Sequence, residues 1–473
     1  MEAFLQPLQG LAEFEEIKKR CGANRGILNV SGCMESQKVH LMYGLSGLFP
    51  YHLILADDER NAKEIYEDYR FYDKNVYFYP AKDLLFFQAD IHGNLLIRQR
   101  MRVIRALLEQ EEVTVVTSID GCMDFLMPLE KIKSSLLHFK SDSVIDLDQL
   151  KEELVELGYE RTGQVELPGQ FSVRGGIIDI YPLTEDNPWR IELWDDEVDS
   201  IRSFDAESQR SLENVDEITI YPAAEKMDGE DMVSFLDYFP EEKTLVFLDE
   251  LNHLAENGEG VEEEYRQSRM HREEKGEANL PEQWLCGFQE VQKKLNRRNC
   301  VAVSALSPRR SGWKINEEFD LTVKSVDSYN SSFELLVKDL LQYKSQGYRI
   351  ALLSGSRTRA ERLAKDLSEE GLNAFYRQDT DRIISPGEIM VVYGHARRGF
   401  QYPLIKFAVM TETDIFGKEQ KKRKKKKKYS GNRIQDFAEL SIGDLVVHEK
   451  HGLGIYRGIE KVEVDRVVKD YIK

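Results

Sequence analysis

Residues 169–182 read Gly169-Gln-Phe-Ser-Val-Arg174-Gly-Gly-Ile-Ile-Asp179-Ile-Tyr-Pro182. Apolar residues alternate, imperfectly, with polar ones on both sides of Gly175-Gly176, which is typical of two short strands joined at a turn or bulge that needs positive φ. Pro182 lacks a backbone N–H and ends the second strand. The segment therefore predicts two strands of a small β-module.

A third strand is predicted at Arg190-Ile-Glu-Leu-Trp194. Side chains in a strand alternate between the two faces, so Arg190 and Trp194 share one face while Ile191 and Leu193 point to the other. The apolar pair is the natural core side. Arg190 and Trp194 then face solvent or a partner, and these two residue types are enriched at interface hot spots.

A second interpretation of the same spacing is purely structural. In it Trp194 belongs to the core, and Arg174 and Arg190 form salt bridges with Asp179, Asp195 or Asp196. The residues alone leave both interpretations open. The module carries no nucleophile, acid–base pair or metal cluster, so its composition favours being bound over catalysis.

The run from Gly169 through Gln209-Arg210, closed by Tyr221-Pro-Ala-Ala-Glu225, resembles the central domain that the excision-repair protein UvrB shares with the Mfd family of transcription-repair coupling factors. In that family the domain is the docking surface for UvrA. The resemblance implies that Arg174, Arg190 and Trp194 face UvrA. Trp194 stands where the family commonly has phenylalanine, which is a mild departure.

A second recognisable segment is Ile442-Gly-Asp-Leu-Val-Val-His448-Glu-Lys-His451-Gly-Leu-Gly-Ile-Tyr456-Arg-Gly-Ile459. Closely spaced glycines between β-branched runs are typical of tight strands in a small barrel. The segment is similar to the opening of the Mfd domain that grips the RNA polymerase β subunit, a Tudor-like module also found in CarD-type regulators. We expect the edge at Tyr471-Ile472 to pair with the polymerase by strand addition. His448 and His451 lack neighbouring cysteines and are interpreted as structural.

The first part of the chain raises the question of nucleotide binding. A phosphate-binding loop needs glycines, a lysine and a Ser or Thr hydroxyl. Against the UvrB pattern, Asn29-Val-Ser-Gly32-Cys-Met-Glu35-Ser36 retains only Gly32 and Ser36, and Glu35 occupies the lysine position. A carboxylate there repels a triphosphate. We therefore expect a degenerate nucleotide loop, no catalytic residues, no metal and no cofactor for this chain.

Two features near this loop bear on a catalytic alternative. A shifted register recovers Lys38 but loses the second glycine and the metal-binding hydroxyl, and Asp249-Glu250 after an apolar strand resembles a Walker B pair. The alternative functions are a UvrB-like repair ATPase and a CarD-like regulator that binds RNA polymerase. Nucleotide binding would favour the first, and polymerase binding without UvrA binding would favour the second.

The pattern along the chain predicts an α/β multidomain protein. Short apolar runs alternate with helical stretches from Gly26 to about Leu129, which is typical of a parallel sheet, and buried-type strands return at Thr244–Asp249 and Cys300–Ser304. We expect a degenerate P-loop-like α/β domain in two parts (1–129 and 223–312), an inserted α+β UvrA-docking domain (130–222), a further small α/β domain (313–416), a basic flexible linker (417–440) and the beginning of a small Tudor-like β-barrel (441–473).

Composition limits the remaining possibilities. The net charge of −19 has the wrong sign for gripping nucleic acid over the whole surface; the exception is Lys418–Lys428, predicted to be a solvated linker, with a nonspecific DNA or RNA tether as the alternative. The five cysteines have no C-x-x-C spacing, which argues against a disulfide framework or zinc ribbon. Neither a membrane-spanning apolar run nor a signal peptide is apparent, so we expect a cytoplasmic protein.

These features together predict the N-terminal portion of a transcription-repair coupling factor. This portion would be a non-catalytic scaffold that recruits UvrA in nucleotide excision repair and begins the module for the RNA polymerase β subunit. The resemblance implies that the parent uses ATP and Mg²⁺ in a double-stranded DNA translocase that displaces stalled RNA polymerase. We expect the chain to stop before that translocase.

Overall fold

The computed structural model describes residues 1–23, 25–82, 94–225, 231–274, 285–308, 312–417, 443, 445–448, 452–464 and 467–472. It confirms the predicted mixed α/β architecture, with a parallel sheet and several further sheets. Among the described residues, no helix combines the length and apolar character needed to cross a membrane.

The first α/β unit is built from two stretches of chain separated by an insert. In the first stretch, buried apolar strands alternate with helices, as expected for strands covered on both faces. Its elements are α1 (Glu2–Leu8), α2 (Ala12–Arg20), β1 (Gly26–Ser31), α3 (Glu35–Ser46), β2 (Tyr51–Ala56), α4 (Glu59–Tyr72), β3 (Val76–Tyr79), α5 (Asn94–Glu109), β4 (Val113–Ser118), α6 (Ile119–Cys122), β5 (Phe125–Leu126) and α7 (Leu129–Ser134).

The insert is mainly a twisted antiparallel sheet with one helix. Six of its strands lie side by side in one sheet, in the reverse of their order along the chain. The other two strands, β6 and β13, form a separate pair. Its elements are β6 (Leu137–Lys140), α8 (Leu147–Glu156), β7 (Glu160–Arg161), β8 (Gln170–Arg174), β9 (Ile177–Ile180), β10 (Trp189–Trp194), β11 (Glu197–Phe204), β12 (Ser211–Val215) and β13 (Glu217–Ile220).

The chain then returns to complete the first unit. The completed sheet is parallel throughout, in the order β17-β1-β16-β15-β2-β4-β3, so the carboxyl ends of its strands meet at one edge. The returning elements are β14 (Val233–Ser234), 3₁₀ turns at Phe235–Tyr238 and Glu241–Lys243, β15 (Thr244–Asp249), α9 (Leu251–Glu274), α10 (Phe288–Leu295), β16 (Asn299–Val303) and β17 (Ile315–Asp320).

A second α/β unit follows, with the sheet order β18-β22-β23-β19-β21-β20. Its four strands β23, β19, β21 and β20 are parallel, and β22 and β18 extend the sheet in antiparallel pairs. Its elements are β18 (Lys324–Ser325), α11 (Phe333–Ser345), β19 (Arg349–Ser354), α12 (Arg357–Glu369), β20 (Asn373–Arg377), β21 (Glu388–Tyr393), β22 (Phe400–Tyr402), β23 (Phe407–Thr411) and α13 (Glu412–Phe416).

The last described residues form two hairpins. Strand β24 (Leu445–His448) pairs with β25 (Gly452–Ile455), and β26 (Ile459–Val464) pairs with β27 (Val467–Ile472), both in antiparallel register. The predicted closure of these strands into a Tudor-like barrel stays a prediction. The predicted basic linker at Lys418–Lys428 lies outside the described residues.

The structure corrects two of the predicted domain boundaries. Strand β17 pairs in parallel with β1, so it belongs to the first sheet and not to the unit predicted to begin at residue 313. Its charged residues hid this assignment, because an edge strand with alternate residues exposed needs few apolar side chains. Helix α7 packs on α5, with Ile132 in the core of the first unit, so the insert begins after α7 and not at residue 130.

One apolar cluster spans the first and second units, and His40 lies inside it. His40 on α3 is fully buried, with Nε2 3.0 Å from the Phe4 carbonyl oxygen of α1 and Nδ1 3.1 Å from the Tyr402 hydroxyl of β22. Burial lowers the pKa of His40 to about 4, although the Phe4 carbonyl opposes this shift. The neutral imidazole therefore joins three elements of two units.

We predict that acid weakens this junction through His40. Its pKa is about 4 when folded and about 6.5 when unfolded, so the folded protein loses stability as the pH falls from about 6.5 to 4, by about 3 kcal/mol at most. Denaturant midpoints at pH 7 and pH 4.5 should show this loss in the wild type and a smaller loss in His40→Gln. His52 also has a lowered pKa and titrates in both proteins, so the difference between them isolates His40. Equal pH dependence would contradict the prediction.

Candidate functional site

The candidate docking surface starts at the hairpin of β8 and β9. Gly175 in the turn has a φ of +60°, and Val173 and Arg174 pair with Ile178 and Ile177 across it. Two strands around Gly175-Gly176 were predicted, and the structure confirms them. The turn places Arg174 and Asp179 on neighbouring strands within reach of each other.

A buried carboxylate lies at the centre of this surface. Asp179 is 1% exposed and accepts hydrogen bonds from Arg190 Nε at 2.7 Å, Arg190 Nη2 at 2.9 Å and Arg174 Nη2 at 2.8 Å. The paired Arg190 geometry is the bidentate arrangement that gives the strongest ion-pair contacts. Hydrogen bonding to Asp179 raises the pKa of Arg190. Asp179 therefore fixes the directions of both arginines.

Arg190 is held on two further sides. Its guanidinium carbon lies 4.4 Å from the ring centroid of Phe204, and Nη2 donates to Gln209 Oε1 at 3.0 Å. The Arg190 side chain is only 14% exposed, whereas that of Arg174 is 47% exposed. Arg174 is therefore more accessible to solvent than Arg190, whose guanidinium is fixed by its neighbours.

Trp194 lies at the end of β10 and is 80% exposed. The next residue, Asp195, begins the turn to β11 with a φ of +60°, and the pairing register shifts between Glu192 and Leu193. The structure thus combines the two interpretations of the sequence. The arginines form the salt bridges of one, and Trp194 is exposed as in the other. An exposed tryptophan on the same strand as a fixed arginine has the composition of an interface hot spot.

The predicted degenerate nucleotide loop follows β1. Gly32 has a φ of +75°, and a Cβ there would lie 2.1 Å from the Leu321 carbonyl oxygen, so the loop is packed against the chain after β17. Helix α3 begins at Glu35. Ser36 Oγ donates to Asp68 Oδ2 at 2.7 Å, which occupies the hydroxyl that a magnesium site would use.

Lys38 extends from α3 to the carboxyl edge of the first sheet. Its ammonium donates to Asp249 Oδ1 at 2.7 Å and to Glu250 Oε1 at 2.6 Å, and its side chain is 11% exposed. Burial alone would lower the pKa of Lys38, but the two carboxylates outweigh burial and raise it. The acidic pair that resembles a Walker B motif is therefore partly neutralised by a lysine of the same chain, and one negative charge remains. The sequence pattern pointed to all three residues but not to their contact, because Lys38 is more than 200 positions from the acidic pair.

The side chains that could bind a metal ion do not cluster among the described residues. Within the described part of the chain, no group of three or more His, Cys, Asp or Glu side chains has the arrangement of a metal site. The cysteines are unpaired thiols, and burial raises the pKa of Cys33 to about 12.

The C-terminal residues singled out in the sequence lie in the two hairpins or outside the described residues. His448 lies in β24, and His451 falls outside the described residues. Tyr471 and Ile472 end β27, opposite Glu460 and Ile459 of β26.

Comparison with known proteins gives these surfaces a context. Residues 137–225 match the model of the UvrB interaction domain. The chain contains a UvrB interaction domain. Residues 440–473 match the CarD-like/TRCF RID domain. Both matches confirm the resemblance recognised in the sequence, and the first covers the whole surface around Asp179.

Relatives named transcription-repair-coupling factor match most of the chain. The protein of Bacillus subtilis (strain 168) is 29% identical over 94% of this chain and 44% of its own length. That of Staphylococcus aureus (strain MRSA252) is 26% identical over 85% of this chain and 39% of its own length. That of Staphylococcus epidermidis (strain ATCC 12228 / FDA PCI 1200) is 28% identical over 89% and 41%. The chain thus spans less than half the length of these relatives.

We predict that Lys38→Met destabilises the first unit by about 3 kcal/mol, because removing one partner of a buried ion pair leaves the other charge uncompensated. Denaturant unfolding measures the change. Lys365→Met is the control, since Lys365 is 76% exposed and lies 3.8 Å from Glu369, where a pair is worth under about 1 kcal/mol. Adding Asp249→Asn should recover part of the loss from Lys38→Met. Equal effects of the two lysine substitutions would contradict the buried-pair account.

Proposed function

We propose that this chain is a non-catalytic recruitment scaffold of a transcription-repair coupling factor, and that the face around Asp179 docks UvrA. The observation that carries the proposal is an 80% exposed Trp194 on the same strand as Arg190, which a buried carboxylate holds together with Arg174, within a matched UvrB interaction domain. Trp194 supplies apolar contact, and Arg174 and Arg190 supply fixed positive charge to acidic groups of the partner. Prealigned side chains lose little conformational entropy on binding.

The expected non-catalytic role rests on the nucleotide loop. A triphosphate needs a free lysine and a free hydroxyl at the loop, whereas Lys38 is bonded to Asp249 and Ser36 is bonded to Asp68. Glu35 adds a negative charge at the start of α3. These contacts support a loop that serves as scaffold. For the whole coupling factor, we propose a translocase that uses ATP and Mg²⁺ to move along double-stranded DNA and displaces stalled RNA polymerase.

A second surface is proposed for the RNA polymerase β subunit. The matched CarD-like/TRCF RID segment contains both C-terminal hairpins, and, among the described strands, β27 pairs with β26 alone. The backbone edge at Tyr471-Ile472 would then accept a strand of the polymerase. We further propose that the protein acts in the cytoplasm, where both partners would be found.

We predict that Trp194→Ala weakens UvrA binding about 30-fold, because a central aromatic hot spot is worth about 2 kcal/mol or more. Calorimetric titration with purified UvrA measures the change. Leu212→Ala is the matched control, since Leu212 is 57% exposed in β12 of the same sheet. Arg174→Glu should also weaken binding, through charge reversal. Wild-type binding by both Trp194→Ala and Arg174→Glu would overturn the assignment of this face.

Arg190 needs a separate test, because its loss also leaves Asp179 less compensated. We predict that Arg190→Ala lowers both the melting temperature and UvrA affinity, whereas Arg190→Lys, which keeps the charge and loses the bidentate fork, restores stability more than affinity. Circular dichroism melts beside the titrations separate the two effects. Full affinity in a destabilised Arg190→Ala would assign Arg190 a structural role only.

The UvrB-like ATPase alternative is tested with nucleotide alone. We predict that ATP with Mg²⁺ gives no saturable binding heat with this chain and leaves its titration with UvrA unchanged. The two acidic side chains facing Lys38 and the carboxylate of Glu35 oppose a bound triphosphate. Saturable ATP binding would favour the ATPase alternative and contradict the scaffold role of the loop.

A further inference from the structure

A cavity of about 180 Å³ lies where the insert joins the first unit. The first unit contributes side chains of α5, β5 and α7, and the insert contributes the end of α8 and the chain that leaves β13. Most of its wall is apolar and buried, including Met101, Ile104, Leu126, Ile132 and Leu157, and Met127 is half-buried. Neither the docking surface nor the nucleotide loop shares a residue with it.

The polar groups in the cavity wall are already bonded within the protein. The Tyr238 hydroxyl donates to the Met127 carbonyl oxygen at 2.6 Å, and Ser135 Oγ donates to the Ile132 carbonyl oxygen at 2.8 Å. Glu225 contacts Arg100 and lies 2.7 Å from the Lys82 ammonium. A ligand in this cavity thus meets apolar surface and compensated charge, which excludes recognition of an ion.

The carboxylate of Glu225 stays ionised in this environment. Burial raises its pKa, but Arg100 and Lys82 outweigh burial and lower the pKa to about 2. Arg100 is fully buried and also lies 2.6 Å from Asp124 Oδ2 and 4.1 Å from the ring centroid of Tyr79. The network closes one side of the cavity with a rigid wall that offers no free charge.

We propose that this junction cavity binds a small, neutral, apolar molecule of about the size of one aromatic ring. An engineered apolar cavity of about 150 Å³ in another protein binds benzene, so the space here suits a ligand of that class. Ligand sites are common where domains meet. A ligand that contacts Met101 on α5 and Leu157 beside α8 would favour the observed orientation of the insert over others.

Methionine methyl groups provide the test. With ¹³C-methyl-methionine in the full chain, titration with benzene should shift the Met101 and Met127 resonances saturably. Met390 and Met410, buried in the second unit, are internal controls and should not shift. Bound ligand should also raise the melting temperature, because it binds the folded state. No shift at Met101 and Met127, or equal shifts at all four methionines, would overturn the proposal.

A cavity-filling substitution completes the experiment. Ile132→Trp should abolish the benzene-dependent shifts, while Leu404→Trp, at a position 65% exposed in the second unit, should leave them unchanged. The resonance of Met42, which is buried on α3 of the first unit, reports whether that unit remains folded in each variant. If Ile132→Trp fails that criterion, Leu126→Phe takes its place. Undiminished shifts in a folded filled variant would place the ligand elsewhere and contradict the proposal.

Discussion

The buried carboxylate of Asp179 is the interaction on which the candidate docking surface depends. It lies on β9, between the strands that carry its two arginine partners, and it accepts three hydrogen bonds from them. A buried carboxylate without such partners would be very costly, so the ion pairs and the strand register stabilise each other. Asp179 consequently holds the two arginines of this surface in place, while Trp194 is exposed to solvent.

The insert is held to the first unit by a second set of ion pairs, of which the Arg100 contact is buried and the Asp186 contacts lie at the surface. Arg100 on α5 contacts Glu225 where the chain leaves the insert, and Arg98 and Arg102 both contact Asp186 in a loop of the insert at 2.6 and 2.7 Å. These contacts fix one orientation of the docking sheet relative to the parallel sheet. A recruitment scaffold needs that property, because its partner must be delivered in a defined position.

The sequence was sufficient to predict local structure and insufficient for contacts across long separations. The hairpin around Gly175 follows from alternation and its turn residues, and the strands at Val76–Tyr79 and Glu388–Tyr393 follow from short apolar runs. Strand β17 was missed because its charged side chains are tolerated only at a sheet edge. The bonding of Lys38 to Asp249 depends on which strands lie side by side, and no spacing in the chain encodes that.

The candidate site shows the same division. Periodicity placed Arg190 and Trp194 on one face, but it could not decide how exposed each side chain is. The exposure of Arg190 depends on its bidentate contact with Asp179, and that of Trp194 depends on the register shift before Leu193. Likewise, Glu35 at the lysine position indicated a degenerate loop, but the internal partners of Ser36 and Lys38 emerged only from the fold. The sequence thus showed which side chains occupy the site, but it did not show which of them form hydrogen bonds or ion pairs with each other.

Hydrogen–deuterium exchange of the chain with and without UvrA tests whether the face around Asp179 and Trp194 docks UvrA. We expect UvrA to slow exchange in the peptides covering β8 to β11, around the turn after Trp194, and to leave exchange at the carboxyl edge of the first sheet near Lys38 unchanged. Complex formation with protection confined to other elements, and none at residues 170–204, would contradict the assignment of this surface.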